Sequence, residues 1–182
     1  SMEEELKRLL ESHEKVIREV RKTSEDTLRS HRKVIEEAKE EHKKLLEEIK
    51  RVVERVRKRN VPDEDLKRIL EEVRRHVEES KKRLRDSFEE LRRHSEELER
   101  RLRESKKRLE RLVRELERED SRDETVLREA RKEVEKLNED IRRLLEEHKR
   151  VVDELNKELR RLLEESRRRV KELIRRIEEE AR

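Results

Sequence analysis

The chain has 182 residues, 56 of them Lys or Arg and 52 Asp or Glu, for a formal net charge of +4. Charged residues make up 59% and hydrophobic residues 28%, against a usual charged share of about 25%, so such a chain stays disordered unless its few apolar residues are strictly placed. It has no Gly and no Cys, which excludes glycine-rich phosphate loops, disulfides, thiolate metal sites and cysteine nucleophiles.

Ser1-Met2 reads as a tag remnant followed by a start Met and takes no part in the fold reasoning. The first predicted helix covers about residues 3–59. Its apolar or small seam is Leu6, Leu10, His13, Ile17, Val20, Ser24, Leu28, His31, Ile35, Ala38, His42, Leu46, Ile49, Val53 and Val56. These positions average about 3.57 residues per step, close to the α-helical repeat, so little supercoil is expected. Doublets such as Leu9-Leu10, Val16-Ile17 and Leu45-Leu46 widen the stripe, as a helix touching two neighbours requires.

A break follows at Arg59-Asn60-Val61-Pro62. Asn60 is predicted to take the left-handed conformation that ends the helix. Pro62 suits the first turn of the next helix, where a missing N–H is harmless. Asp63, Glu64 and Asp65 then face that helix's positive end. The second helix is predicted over about 62–119, with a seam running from Leu66 to Leu116 that includes Ser80, Ser95 and Ser105. A second break contains Ser121 and Glu124 at capping-box spacing. The third helix is predicted over about 122–181, with a seam from Leu127 to Ala181.

Short connections force antiparallel neighbours. The expected fold is all-α: one domain over residues 1–182, an antiparallel up-down-up bundle of three long, nearly straight helices. Hydrophobic residues number about 51 and the three seams offer about 45 positions. That balance favours a monomer. A homo-oligomer built on the doublets, or a designed helical partner, is the alternative.

Polar residues punctuate the seam. Hairpin geometry predicts that facing positions on helices 1 and 2 have numbers adding to about 122, and on helices 2 and 3 to about 241. His13 then faces Ser105 with Asn138 close by. Thr27 faces His94, and His94 faces His148. His31 faces Ser87, His42 faces Ser80, and His76 faces Ser166. A buried imidazole needs partners for its nitrogens, and a rotatable hydroxyl either donates or accepts. Such layers would select register, because a slipped helix leaves buried groups unsatisfied.

Sharper chemistry finds little support. No two His lie at i, i+4 on one helix, and the 18 residues between His13 and His31 span about 27 Å, too far for a shared metal. Neighbours such as Ser12-His13 and His94-Ser95 diverge around the helix, and helix interiors offer no free N–H groups for an oxyanion hole. No catalytic, cofactor or metal site is therefore expected, and the chain is not expected to be an enzyme. Acidic and basic residues interleave, without the one-sided basic face and stacking aromatics of a nucleic-acid binder. No membrane span or signal segment is recognisable. Localisation is left open, with recombinant expression of a soluble protein the expectation.

Ser12-His13-Glu14-Lys15-Val16-Ile17 recurs as Ser30-His31-Arg32-Lys33-Val34-Ile35, a repeat of five helical turns. This repeat, the Glu/Lys/Arg surface, the capping signals and the Leu/Ile/Val seam with Ser/His/Asn layers resemble de novo designed helical bundles with buried hydrogen-bond networks. Spectrin repeats are a weaker likeness, because their core Trp is missing and these helices are longer. The resemblance implies an engineered scaffold without a natural substrate. Two further roles are expected apart from the resemblance: a pH-responsive switch that loosens when buried His protonate, and a helical binding or self-assembly module.

Overall fold

The computed structural model describes residues 2–118 and 124–181. All three of its elements are helices: α1 spans Met2–Arg57, α2 Asp63–Arg118 and α3 Glu124–Glu180. Each is strongly amphipathic, with acidic residues in its first turn, where the helix dipole favours negative charge. Arg55 and Arg57 in the last turn of α1, and Arg118 in that of α2, complement the opposite pole.

The first break differs from expectation in detail. Arg59, not Asn60, adopts the left-handed conformation, at φ 56°. The Arg59 N–H donates to the Val56 carbonyl at 2.9 Å, and the Asn60 N–H to the Arg55 carbonyl at 3.0 Å. This is a Schellman closure, with α1 stopping one residue after Val56, its last buried seam position. The early stop leaves Val61 partly buried against the apolar cluster that contains Val56 and Leu66. Pro62 precedes α2 instead of lying within it, and its carbonyl accepts the first helical bond, from the Leu66 N–H at 3.0 Å. The predicted ends at 119 and 122, and the Ser121 member of the capping pair, lie outside the described residues.

The chain forms two compact units. One comprises Ser1–Arg29 and Leu91–Val152, the other Ser30–Glu90 and Asp153–Arg182. Within the first, His13 meets Ser105 and Glu19 meets Arg101, so α1 and α2 run antiparallel. Ser95 meets His148 and Glu117 meets Arg131, so α2 and α3 do too. The core of this unit holds Ile17, Val20, Leu98, Leu102, Leu109, Val134, Leu137, Ile141 and Leu144. A smaller cluster groups Leu6, Leu112, Leu116 and Ala130.

Within the second unit, Glu41 meets Arg83 and His31 meets Ser87, again antiparallel. Lys39 meets Glu158 and Arg57 meets Glu180, so α1 and α3 run parallel. Leu45, Leu46, Ile49, Val53, Val56, Leu66, Val73, Val170, Leu173 and Ile177 form its main core. Ala38, Leu84 and Leu159, with Val34 and Phe88 packed on them, form a second cluster. Burying one such side chain stabilises by about 1.5–3 kcal/mol. No large hydrophobic residue is exposed among the described residues, and no helix there is long and apolar enough to cross a membrane.

Candidate functional site: buried imidazole layers

Residues that carry chemistry gather inside the seam. His13, Ser24, His31 and His148 are the polar side chains buried with the core. Each occupies a seam position at helical spacing from Leu, Ile or Val, so the same periodicity that forms the helix turns it inward.

The layer around His148 is fully connected. Its Nδ1 lies 2.6 Å from the Ser24 Oγ and its Nε2 lies 2.8 Å from the Ser95 Oγ. The Ser95 hydroxyl donates to the Leu91 carbonyl at 3.0 Å. That donation fixes the direction of the rest. Ser95 has one proton, so its oxygen accepts from Nε2–H, and Nδ1 in turn accepts from the Ser24 hydroxyl. One imidazole thus ties together α1, α2 and α3 within the first unit. Burial pushes its pKa below the ordinary histidine value, with Glu99 pulling weakly the other way.

His13, 1% exposed, bonds through Nδ1 to the Ser105 Oγ. Burial lowers its pKa as well. Its Nε2 and the Asn138 Oδ1 are buried without hydrogen-bond partners among the described residues. In the second unit His31 Nδ1 lies 2.8 Å from the Ser87 Oγ. His42 is half-buried, and its Nδ1 lies 2.9 Å from the Ser166 Oγ. Burial lowers the His42 pKa, opposed by Glu165 and reinforced by Arg169. Among the described residues the His42 Nε2 has no hydrogen-bond partner, and neither has the Asn156 Oδ1.

Several expected pairs are therefore corrected. His42 bonds Ser166 on α3, not Ser80 on α2, because its Nδ1 faces α3. The Ser166 hydroxyl is thereby engaged, and His76, its expected partner, is exposed. His94 is exposed too, and the two nitrogens of His148 are taken by Ser24 and Ser95. One residue along a helix turns a side chain by about 100°, which puts Ser95 inside and His94 outside. Thr27 is half-buried, and the α1 hydroxyl in this layer is that of Ser24, three residues earlier.

The sequence reading placed Ser24 and Ser95 on the seam but gave them no partner. The 18-residue repeat carries the missing signal once it is extended to all three helices. Moving by 18 relates His13 to His31, Ser105 to Ser87 and Asn138 to Asn156. It also relates Ser24 to His42 and His148 to Ser166, the same pair with its chemistry exchanged between α1 and α3.

Among the described residues no group of three His, Cys, Asp or Glu is placed to hold a metal ion. What this arrangement can do is donate, accept and exchange protons between neighbouring helices. The chain matches no family model and no curated protein. Among solved structures it is similar to a "Computationally designed three helix bundle", at 20% identity and a TM-score of 0.46, over 99% of this chain and 86% of that one.

Proposed function

We propose that this chain is a designed structural scaffold without a natural biochemical reaction, whose buried polar layers set helix register and partner choice. The connected Ser24–His148–Ser95 layer carries this reading. Apolar contacts alone tolerate sliding between helices. A buried imidazole that loses both hydroxyls does not, because each unmet group costs about 1–3 kcal/mol. The layers recur at an 18-residue interval, in the manner of a placed element. The test is to replace Ser24, Ser95 and His148 together by Ala, Ala and Leu. The variant should stay helical yet lose its single set of amide resonances, as competing registers become populated. A variant that keeps one sharp spectrum and one mass would remove the specificity role.

The single-domain, monomeric reading belongs to the same proposal. Each helix contributes residues to both compact units, which favours unfolding in one step. The absence of exposed large hydrophobics among the described residues favours a solitary 22.8 kDa species over self-assembly or a helical partner. Sedimentation reads this directly. No catalytic role is part of the proposal.

A second reading, pH responsiveness, is favoured by one observation: burial lowers the pKa values of His13, His42 and His148. Protonation of these rings works against the fold. The switch would act through those three groups.

A further inference from the structure

In the second unit the His42 ring has one satisfied nitrogen and one bare one. Its Nδ1 meets the Ser166 hydroxyl, which has no other acceptor among the described hydrogen bonds. If that hydroxyl donates, the neutral ring carries its proton on Nε2, and a buried N–H is then left without an acceptor. The related layer of the first unit has solved the same problem. There the second nitrogen of His148 donates to Ser95. Moving 18 residues along α2 from Ser95 leads to Val77, whose side chain has no acceptor.

The next hydroxyl on that face of α2 is Ser80, one turn beyond Val77. Between α1, α2 and α3 at this place lies a cavity of about 20 Å³, lined among others by His42, Val77, Ser80 and Ser166. A single water needs about 10–15 Å³ on the same kind of measure, and two to four polar partners. Space, an orphaned donor and a hydroxyl thus coincide where the repeat has lost its serine.

We propose that this cavity binds one ordered water molecule, accepting from His42 Nε2–H and donating to the Ser80 Oγ. The water stands where the Ser95 hydroxyl stands in the first unit, and it links α1 to α2 as Ser166 links α1 to α3. The inference rests on the reading of His42 and Ser166 as a polar layer, and the experiment separates the two. Imidazole nitrogen shifts of labelled protein at neutral pH report the tautomer, and cross-relaxation from water reports contact with the ring. The expected result is His42 as the Nε2–H form with a water cross-peak, which Ser80→Ala abolishes while leaving the His148 signals in place. Ser166→Ala should shift His42 Nδ1. If it does not, the layer itself fails. If Nδ1 shifts but His42 is the Nδ1–H tautomer, shows no water contact, or keeps that contact in Ser80→Ala, the bound water is overturned and the layer stands.

Discussion

The His148 layer of the first unit and the His42 layer of the second place an imidazole against serine in related positions of one repeat, yet they end differently. His148 is buried and engages both ring nitrogens, with Ser24 and Ser95. His42 is half-buried and engages one, with Ser166. The histidine has moved from α3 to α1, and the α2 serine has become Val77. The lesson is that a buried imidazole is worth no more than its least satisfied nitrogen. Burial costs the ring in both layers, but only around His148 do two side-chain hydroxyls meet both nitrogens.

The largest expected effect sharpens that contrast. His148→Leu strands the buried Ser24 hydroxyl and takes from Ser95 the donor its oxygen accepts, and should cost about 2–4 kcal/mol in denaturant melts at pH 7.5. His42→Leu removes a half-buried ring that meets a single side-chain hydroxyl and should stay within about 1 kcal/mol of the parent. Equal losses at the two positions would break the comparison.

Acid should be the next largest lever. A histidine whose folded pKa is lowered binds fewer protons folded than unfolded, so stability rises with pH. Its contribution is whole above the unfolded value of about 6.5 and drains away as pH falls through that value towards the lowered folded one. Melts at pH 7.5 and 5.5 should therefore show the parent weakening. The triple variant His13→Gln, His42→Gln, His148→Gln should weaken much less, because most carboxylates stay ionised across this window. Matching losses would assign the acid response to other groups.

Two smaller effects lie away from the layers. Arg59 holds a left-handed backbone without being glycine, so Arg59→Gly should stabilise by about 0.5–1 kcal/mol, visible as a raised midpoint in urea. Arg83 grips Glu41 through two nitrogens, at 3.1 and 2.7 Å, on the exposed surface of the second unit. A double-mutant cycle there should return at most about 1 kcal/mol at low ionic strength and close to nothing in 1 M salt.

How far the sequence could be read depended on what sets each feature. The helices follow from apolar spacing, which survives an error of one residue. The chain reversal near Pro62 follows from turn chemistry, although the left-handed residue fell on Arg59 because the seam ends at Val56. The layers demand more. Numbering from the loops led to His13 with Ser105 and His31 with Ser87, whose atoms meet. For the rest, an uncertainty of one residue is a rotation of about 100°, enough to exchange His94 for Ser95. Histidines also drew attention that the serines beside them deserved. His76 and His94 are exposed, although His76 also lines the small cavity beside Ser166, while Ser24 and Ser95 complete the best-connected layer. Which helix a ring nitrogen faces, as with Ser166 rather than Ser80 for His42, does not follow from loop positions and emerges only when the 18-residue relation is carried to α3.

The most direct test is a double-mutant cycle between Ser95 and His148, using Ser95→Ala, His148→Leu and the pair, with stability read by denaturant at pH 7.5. If imidazole and hydroxyl hold α2 and α3 together, the losses should be non-additive by about 0.5–3 kcal/mol, the double variant being less impaired than the two singles combined. Losses that simply add would mean that ring and hydroxyl act independently, and the account of the buried layers would be wrong.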